Sequence, residues 1–235
     1  MEQWNDPEYA RAWATRNAED NPERKQPLDL LLKILRDFFA ASEAPKRVLD
    51  LGCGHGVVAA RALAELGEVS LVGVDGSAPM LDLARERLAP YAGRFALAQA
   101  AFETMTPADL PGAPYGAAFA VQAIHNTDDE GKKRAYASVR ETLAPGGLFV
   151  LVDRIRLATP GLFGVYRSVW DVLGATFNAQ QQEGATLEEH DRLRIARGDQ
   201  PGSLEQNLLW LREAGFREVT PLYVVGIRAI IAGLA

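Results

Sequence analysis

The chain has 235 residues, enough for one domain with elaborations and a self-sufficient core. Its 25 basic and 31 acidic residues leave a formal net charge of −6, so no overall field draws it to phosphate backbones or anionic lipid; neither nucleic acid nor membrane is expected as a partner. A single cysteine, Cys53, excludes an internal disulfide, and His55, His125 and His190 are too scattered for a ligand pattern, so no metal is expected.

Met1 to Asp20 is polar and acidic with aromatic punctuation, unlike the apolar run of a signal peptide, and no stretch nears ~20 uninterrupted apolar residues. A cytoplasmic location is the expectation. Asp6 predicts a helix cap with Pro7 in first position, the helix running through Tyr9 and Trp13. Pro27 predicts the opening of a second helix, strongly apolar from Leu28 to Phe39. From Arg47 the pattern becomes strand, loop, helix: a strand over Val48 to Leu51, a turn punctuated by Gly52, Gly54 and Gly56, and a helix over Val57 to Leu66 stopped by Gly67. A strand over Val69 to Val74 and a helix over Ala78 to Leu88, capped by Ser77 with Pro79 in its first turn, repeat it. Phe95 to Ala98 and Tyr115 to Val121 read as further strands. Thr127 and Glu130 have capping-box spacing for a helix reaching Leu143, and Ala144-Pro145-Gly146-Gly147 breaks the chain before a buried strand over Leu148 to Val152.

The alternation lapses after Asp153. Phe163, Tyr166, Trp170, Leu173 and Phe177 recur every three or four residues on one helix face, and Thr186 with Glu189 caps another helix through Arg197. Ser203 and Gln206 then open a helix that Gly215 ends, followed by Val219 to Val225 and Ile227 to Ala232, two runs predicted to pair antiparallel across Gly226. Strands alternating with helices predict an α/β fold, a doubly wound, mostly parallel sheet. Residues 1–45 are read as an N-terminal helical cap and 46–235 as the main domain, with 154–202 a helical insertion covering the substrate.

Ligands of open α/β sheets bind beyond the carboxyl ends of the strands. There, Val48-Leu49-Asp50-Leu51-Gly52-Cys53-Gly54-His55-Gly56 places glycines where the backbone must turn tightly and approach a ligand closely. Asp75 ends the next strand, 23 residues beyond Gly52, the placement of a carboxylate that accepts from both ribose hydroxyls. A glycine turn and an acid by themselves suit any nucleoside cofactor.

Four further features narrow the choice: the Gly-x-Gly-x-Gly spacing, the preceding Asp50, the Leu143-Ala144-Pro145-Gly146-Gly147 approach to the fifth strand, and the closing strand pair after Leu211-Arg212-Glu213-Ala214-Gly215-Phe216. Together they resemble the class I S-adenosylmethionine-dependent methyltransferases over about 46–153 and 203–235. The resemblance implies a seven-stranded Rossmann-like sheet with its last strand antiparallel, S-adenosylmethionine as cofactor, and methyl transfer to an oxygen or nitrogen of a small-molecule acceptor. It places Asp50, Gly52, Cys53 and Gly54 along the methionine half, Asp75, Gly76 and Ser77 at the ribose, Met80 on the adenine face, and Gln122 and Ala123 beside the sulfonium. The family's usual acid at the adenine amino group is replaced by Ala100-Ala101-Phe102, whose backbone at Ala101 and Phe102 is left to read the adenine edge. Gly116 stands where the fourth strand commonly begins with aspartate.

His125 is the candidate general base, a residue type whose ordinary pKa suits that work; a packing or capping residue is the alternative. Tyr166 and Trp170 are candidates for a substrate wall or for helix core, Tyr9, Trp13 and Arg24 for a lid or for surface packing. Two rival functions remain at this point. An NAD(P)-dependent oxidoreductase also uses a glycine turn and an acid, though with different glycine spacing and without the terminal strand pair; a non-catalytic cofactor-binding protein would keep the same fold.

Overall fold

The structure is a computed structural model that describes residues 2–16, 22–157, 160–177, 184 and 186–235. Helix α1 (Pro7–Arg16) begins where Asp6 Oδ1 accepts from the Glu8 and Tyr9 amides at 2.8 and 3.4 Å. Helix α2 (Pro22–Ala41) starts five residues before the predicted Pro27, which lies inside it. Pro22 takes the first position, and a helix of 20 residues absorbs the one amide bond that Pro27 cannot make.

The remaining elements are β1 (Arg47–Leu51), α3 (Val57–Glu65), β2 (Ser70–Asp75), α4 (Ala78–Leu88), β3 (Phe95–Gln99), β4 (Tyr115–Val121), α5 (Asp129–Thr142), β5 (Leu143–Arg154), α6 (Phe163–Phe177), α7 (Leu187–Ala196), α8 (Leu204–Glu213), β6 (Arg217–Val225) and β7 (Arg228–Leu234). Seven strands form one sheet in the order β3-β2-β1-β4-β5-β7-β6. The pairs β1–β2, β1–β4, β2–β3 and β4–β5 are parallel, whereas β7 runs antiparallel to both β5 and β6. The doubly wound, mostly parallel sheet with an antiparallel final strand is therefore present as expected.

Side-chain alternation divides the core between the two sheet faces. Ala118, Ala120, Phe149 and Leu151 pack with Tyr136 and Val139 of α5 and Trp210 and Leu211 of α8. Ala117, Phe119, Val150 and Val152 face the other way, onto Leu31, Leu32 and Leu35 of α2 and Ala59 and Leu63 of α3. Each such leucine is fully or almost fully buried and contributes about 1.5–3 kcal/mol. Helix α2 thus packs mainly on the sheet, with Leu28 reaching the cleft, and α1 meets the glycine turn through the contact of Trp13 with His55.

Two local expectations shift. The N-cap of α5 is Asp128, accepting from the Gly131 amide at 2.8 Å, whereas the Thr127 hydroxyl donates to Glu103 at 2.9 Å. A side chain one residue later is better aimed at the first turn, and the predicted capping box does not form. The Ala144–Gly147 break does not precede the fifth strand but lies within it as a bulge, since Tyr115 pairs with Leu143 and Ala117 with Leu148. The Gly146 amide finds the Ala235 carbonyl at 3.0 Å there, so the bulge keeps its hydrogen bonds. Gly116 also acquires a reason: a Cβ at that position would lie 2.0 Å from the Pro45 carbonyl oxygen, so the strand passes too close to the preceding loop for any side chain, aspartate included.

Candidate functional site

The parallel strands end at one rim, and there β1, β2 and β4 hand over to loops that enclose a cleft of about 1030 Å³ counting its open mouth. Its wall begins with the turn after β1. The Gly52 and Cys53 amides both donate to the Val74 carbonyl, at 2.7 and 3.0 Å, which folds the turn back over the end of β2. Gly52 has φ +75°, and a Cβ there would sit 2.3 Å from the Cβ of Ala123, so the turn and the loop after β4 are in contact through this glycine. Gly54 has φ +52° with open space on its Cβ side. The Cys53 thiol is buried at van der Waals distance from Gly73, where a Cβ would meet Sγ at 2.9 Å; it packs and is pushed further from ionisation by burial, Asp50 and Asp75.

Two carboxylates mark the cleft. Asp75 ends β2, its Oδ2 accepting from the Gly54 amide and its Oδ1 from the Ser77 amide, both at 2.9 Å. Burial raises its pKa, and the backbone bonds from Ser77, Gly54 and Gly76 offset only part of that. Asp50 is almost fully buried, and its Oδ2 has no hydrogen-bond partner among the described residues. Burial, followed by the charge of Asp75, pushes its carboxyl well above the usual range. An ionised, unpaired acid in such a place is costly, a cost that a cationic or hydrogen-donating group brought against it would offset.

Because the folded-state pKa of Asp50 is raised, the ionised form costs stability once pH rises above the unfolded value, and the cost is fully present above the folded one. Asp50→Asn is therefore expected to raise the melting temperature of the ligand-free protein at neutral pH, with the gain vanishing toward pH 4. Thermal melts across that range measure it; a destabilised variant at pH 7 would contradict it.

The structure brings most of the other residues singled out in the sequence to the same cleft. Gly76, Ser77, Met80, Ala101, Phe102, Gln122 and Ala123 all face the cleft with Asp50, Gly52, Cys53, Gly54 and Asp75. Ser77 caps α4 through the Met80 amide at 3.2 Å, which turns Met80 into the pocket. Gln122, with φ 49°, starts a tight turn after β4, and Asn126 closes it by donating to the Ala123 carbonyl at 3.1 Å. An aromatic strap lies over the mouth. Trp4 contacts Tyr9 and Trp13 edge-on at 5.4 and 5.3 Å, Trp13 contacts the His55 ring at 5.4 Å, and the Ser77 hydroxyl donates to the Trp4 carbonyl at 2.5 Å. Trp13 lines the cleft and Tyr9 braces the strap from behind; the side chain of Arg24 lies outside the described residues.

Besides Tyr9, three of the residues singled out in the sequence sit off the cleft wall. Tyr166 and Trp170 do not line the cleft but join Leu157, Leu187 and Ile227 in a separate small core, the spacing of three and four serving helix packing; the side chains of Phe163, Leu173 and Phe177 lie outside the described residues. His125 is also off the cleft wall. It is buried, its Nδ1 2.5 Å from Asp153 Oδ1 and its Nε2 3.8 Å from Asp199 Oδ2, so both ring nitrogens face carboxylates and not the pocket. Burial would push Asp199 up, but His125, Arg194 and Arg154 outweigh it and hold the carboxyl below its ordinary value. Sequence reading missed Trp4, Asn5, Leu28, Val57, Val58 and Val121 on the wall. Only Trp4 carried a signal, as one of three aromatic residues in a polar N-terminal stretch.

A mostly parallel sheet ordered 3-2-1-4-5-7-6, a glycine turn over its central strand, and an acid at the end of the next strand define a nucleoside-cofactor-binding α/β protein. Comparison with known proteins narrows that class. Residues 48–147 match the family model described as a methyltransferase domain. A ubiquinone/menaquinone biosynthesis C-methyltransferase of Methylobacterium nodulans is 30% identical over 196 residues, covering 80% of this chain and 73% of the relative. A protein of the same description from Syntrophotalea carbinolica is 30% identical over 176 residues, covering 74% and 69%. The chain belongs to the class I S-adenosylmethionine-dependent methyltransferases. The fold also matches solved structures: apo SibL, a methyltransferase, with TM-score 0.60 at 17% identity, and phosphoethanolamine N-methyltransferase 2 of Haemonchus contortus, with 0.61 at 16%. This chain covers 56% and 52% of those two chains and is itself covered over 96% and 88%.

Proposed function

We propose that the cleft holds S-adenosylmethionine and that the chain transfers its methyl group to a small-molecule acceptor through an oxygen or a nitrogen. The observation that carries the reading is the pair of acids at the cleft: Asp75, presented at the end of β2 with both oxygens already oriented by backbone amides, and Asp50, buried with an orphaned oxygen. In this reading Asp75 receives the ribose hydroxyls, and Asp50 receives the methionine ammonium across the glycine turn. Met80 and Phe102 cover the adenine, and the Trp4–Trp13 strap closes over it. Space above Gly54 admits the ligand where a side chain would intrude.

S-adenosylmethionine, when bound, supplies a methyl group already activated by the adjoining sulfonium. The protein's own task is then orientation and exclusion of water, and holding two reactants in line is worth about 7–11 kcal/mol of barrier. No side chain on the described cleft wall is required to be a strong base. The C-methyltransferase relatives support a second reading in which the acceptor atom is carbon.

The experiment is transfer of label from methyl-labelled S-adenosylmethionine into a metabolite pool. Labelled product formed one for one with S-adenosylhomocysteine supports the proposal, and the product's structure decides between oxygen, nitrogen and carbon. Cofactor binding without turnover over an exhaustive acceptor pool would contradict it and favour a non-catalytic cofactor-binding role.

A further inference from the structure

A buried charged cluster lies off the cleft wall. His125 is its centre. Its backbone amide donates to Asp153 Oδ2 at 3.0 Å while its ring pairs with the other oxygen of the same carboxylate, so one residue of β5 grips both the backbone and the side chain of the loop after β4. The His125 carbonyl accepts from the Gln200 amide at 2.6 Å, and Nε2 faces Asp199. Asp199 in turn accepts from Arg154 at 3.0 Å and from Arg194 at 2.9 Å, and Arg154 reaches His190 of α7 at 2.9 Å. Asp153, His125, His190 and Asp199 are all buried.

The gripped loop is the one that carries Gln122, Ala123 and Asn126 on the cleft wall, and Ala123 bears directly on Gly52. A small displacement of His125 is therefore passed within two residues to both sides of the methionine end of the cleft. The backbone carbonyl of the same residue accepts from Gln200, and its ring faces Asp199, in the segment that leads out of the helical insertion. Buried, hydrogen-bonded polar networks of this kind act as rigid joints, because each lost bond leaves a desolvated group behind.

We propose that His125 is a positioning residue: its clamp on Asp153 and on residues 199–200 sets the cleft wall at Gln122–Asn126 and couples that wall to the helical insertion. The role needs a donor at Nδ1 and no proton transfer. It rests on the reading of the cleft as the cofactor site.

Calorimetric titration with S-adenosylhomocysteine tests it in wild type, His125→Leu, His125→Asn and Asp153→Asn, each with a melting curve. Asparagine places an amide N–H where Nδ1 stands, so His125→Asn should bind within about twofold of wild type, whereas His125→Leu and Asp153→Asn should bind about tenfold more weakly. Equal binding by all four proteins overturns the clamp, as does an asparagine variant as weak as the leucine one. Should the leucine variant not fold, amide hydrogen exchange of the wild-type protein decides: the ligand should slow exchange at 122–126 and also at Asp199 and Gln200, which do not line the cleft. Protection confined to the cleft wall would overturn the proposal. If wild type does not bind the ligand at all, it is the reading of the cleft that fails.

Discussion

Asp75→Ala should weaken S-adenosylhomocysteine binding by about two orders of magnitude. Hydrogen bonds to a charged acceptor are each worth roughly 1.5–3 kcal/mol, and about 1.4 kcal/mol is tenfold in affinity; a ribose offers two. The same carboxylate fixes the Gly54 and Ser77 amides, so its removal also loosens the turn and the start of α4. Asp75→Asn keeps one carbonyl acceptor and should fall between the two, which separates the loss of ligand bonds from the loss of loop order. Both affinities come from calorimetric titration of folded protein. Unchanged affinity in Asp75→Ala would remove the acid from the cofactor site.

Gly52→Ala should be the most damaging single methyl group in the glycine turn. The position has φ +75°, where an L side chain costs about 1–2 kcal/mol. The new Cβ would lie 2.3 Å from the Cβ of Ala123, with Phe102 Cζ at 3.1 Å, and overpacking of that kind costs roughly 1–3 kcal/mol. Together these place the loss at about 2–5 kcal/mol, or on the order of 10 °C in melting temperature for a chain of this size. Gly54→Ala is the informative contrast. Its φ of +52° carries the backbone cost, but nothing lies within 4 Å of the added Cβ, which projects into open space at the cleft. It should melt closer to wild type and still bind the cofactor poorly. Equal melting temperatures for Gly52→Ala and wild type would mean that the contact between the turn and Ala123 is not tight.

The glycine-turn side of the cleft was legible because its chemistry is local. A glycine that must adopt positive φ, an acid at a strand end and a serine cap each depend on neighbours a few residues away, so Gly52, Asp75 and Ser77 lie where the sequence pattern puts them. The alternation of strands and helices pointed to a doubly wound sheet and the Gly226 turn to an antiparallel pairing of the last two strands, while the strand order itself is read from the structure. What stayed hidden depends on pairs far apart in sequence. Nothing in Gly116 announces the Pro45 carbonyl 2.0 Å from its absent Cβ, and nothing in His125 announces Asp153 or Asp199. The aromatic stripe of α6 has the same spacing whether it walls a pocket or packs a small core, and only the position of Ile227 and Leu187 against Trp170 distinguishes the two. Pro27 misleads in the opposite direction: a proline permitted at a helix start reads as the start, although Pro22 already holds that place.

The titration that tests the central claim most directly compares S-adenosylhomocysteine with NADH on the unmodified chain. Occupation of a single site by S-adenosylhomocysteine, quenching the fluorescence of Trp4 and Trp13 at the mouth, with no response to NADH, is the result that a methyl-donor cleft requires. Tight binding of NADH and none of S-adenosylhomocysteine would contradict it.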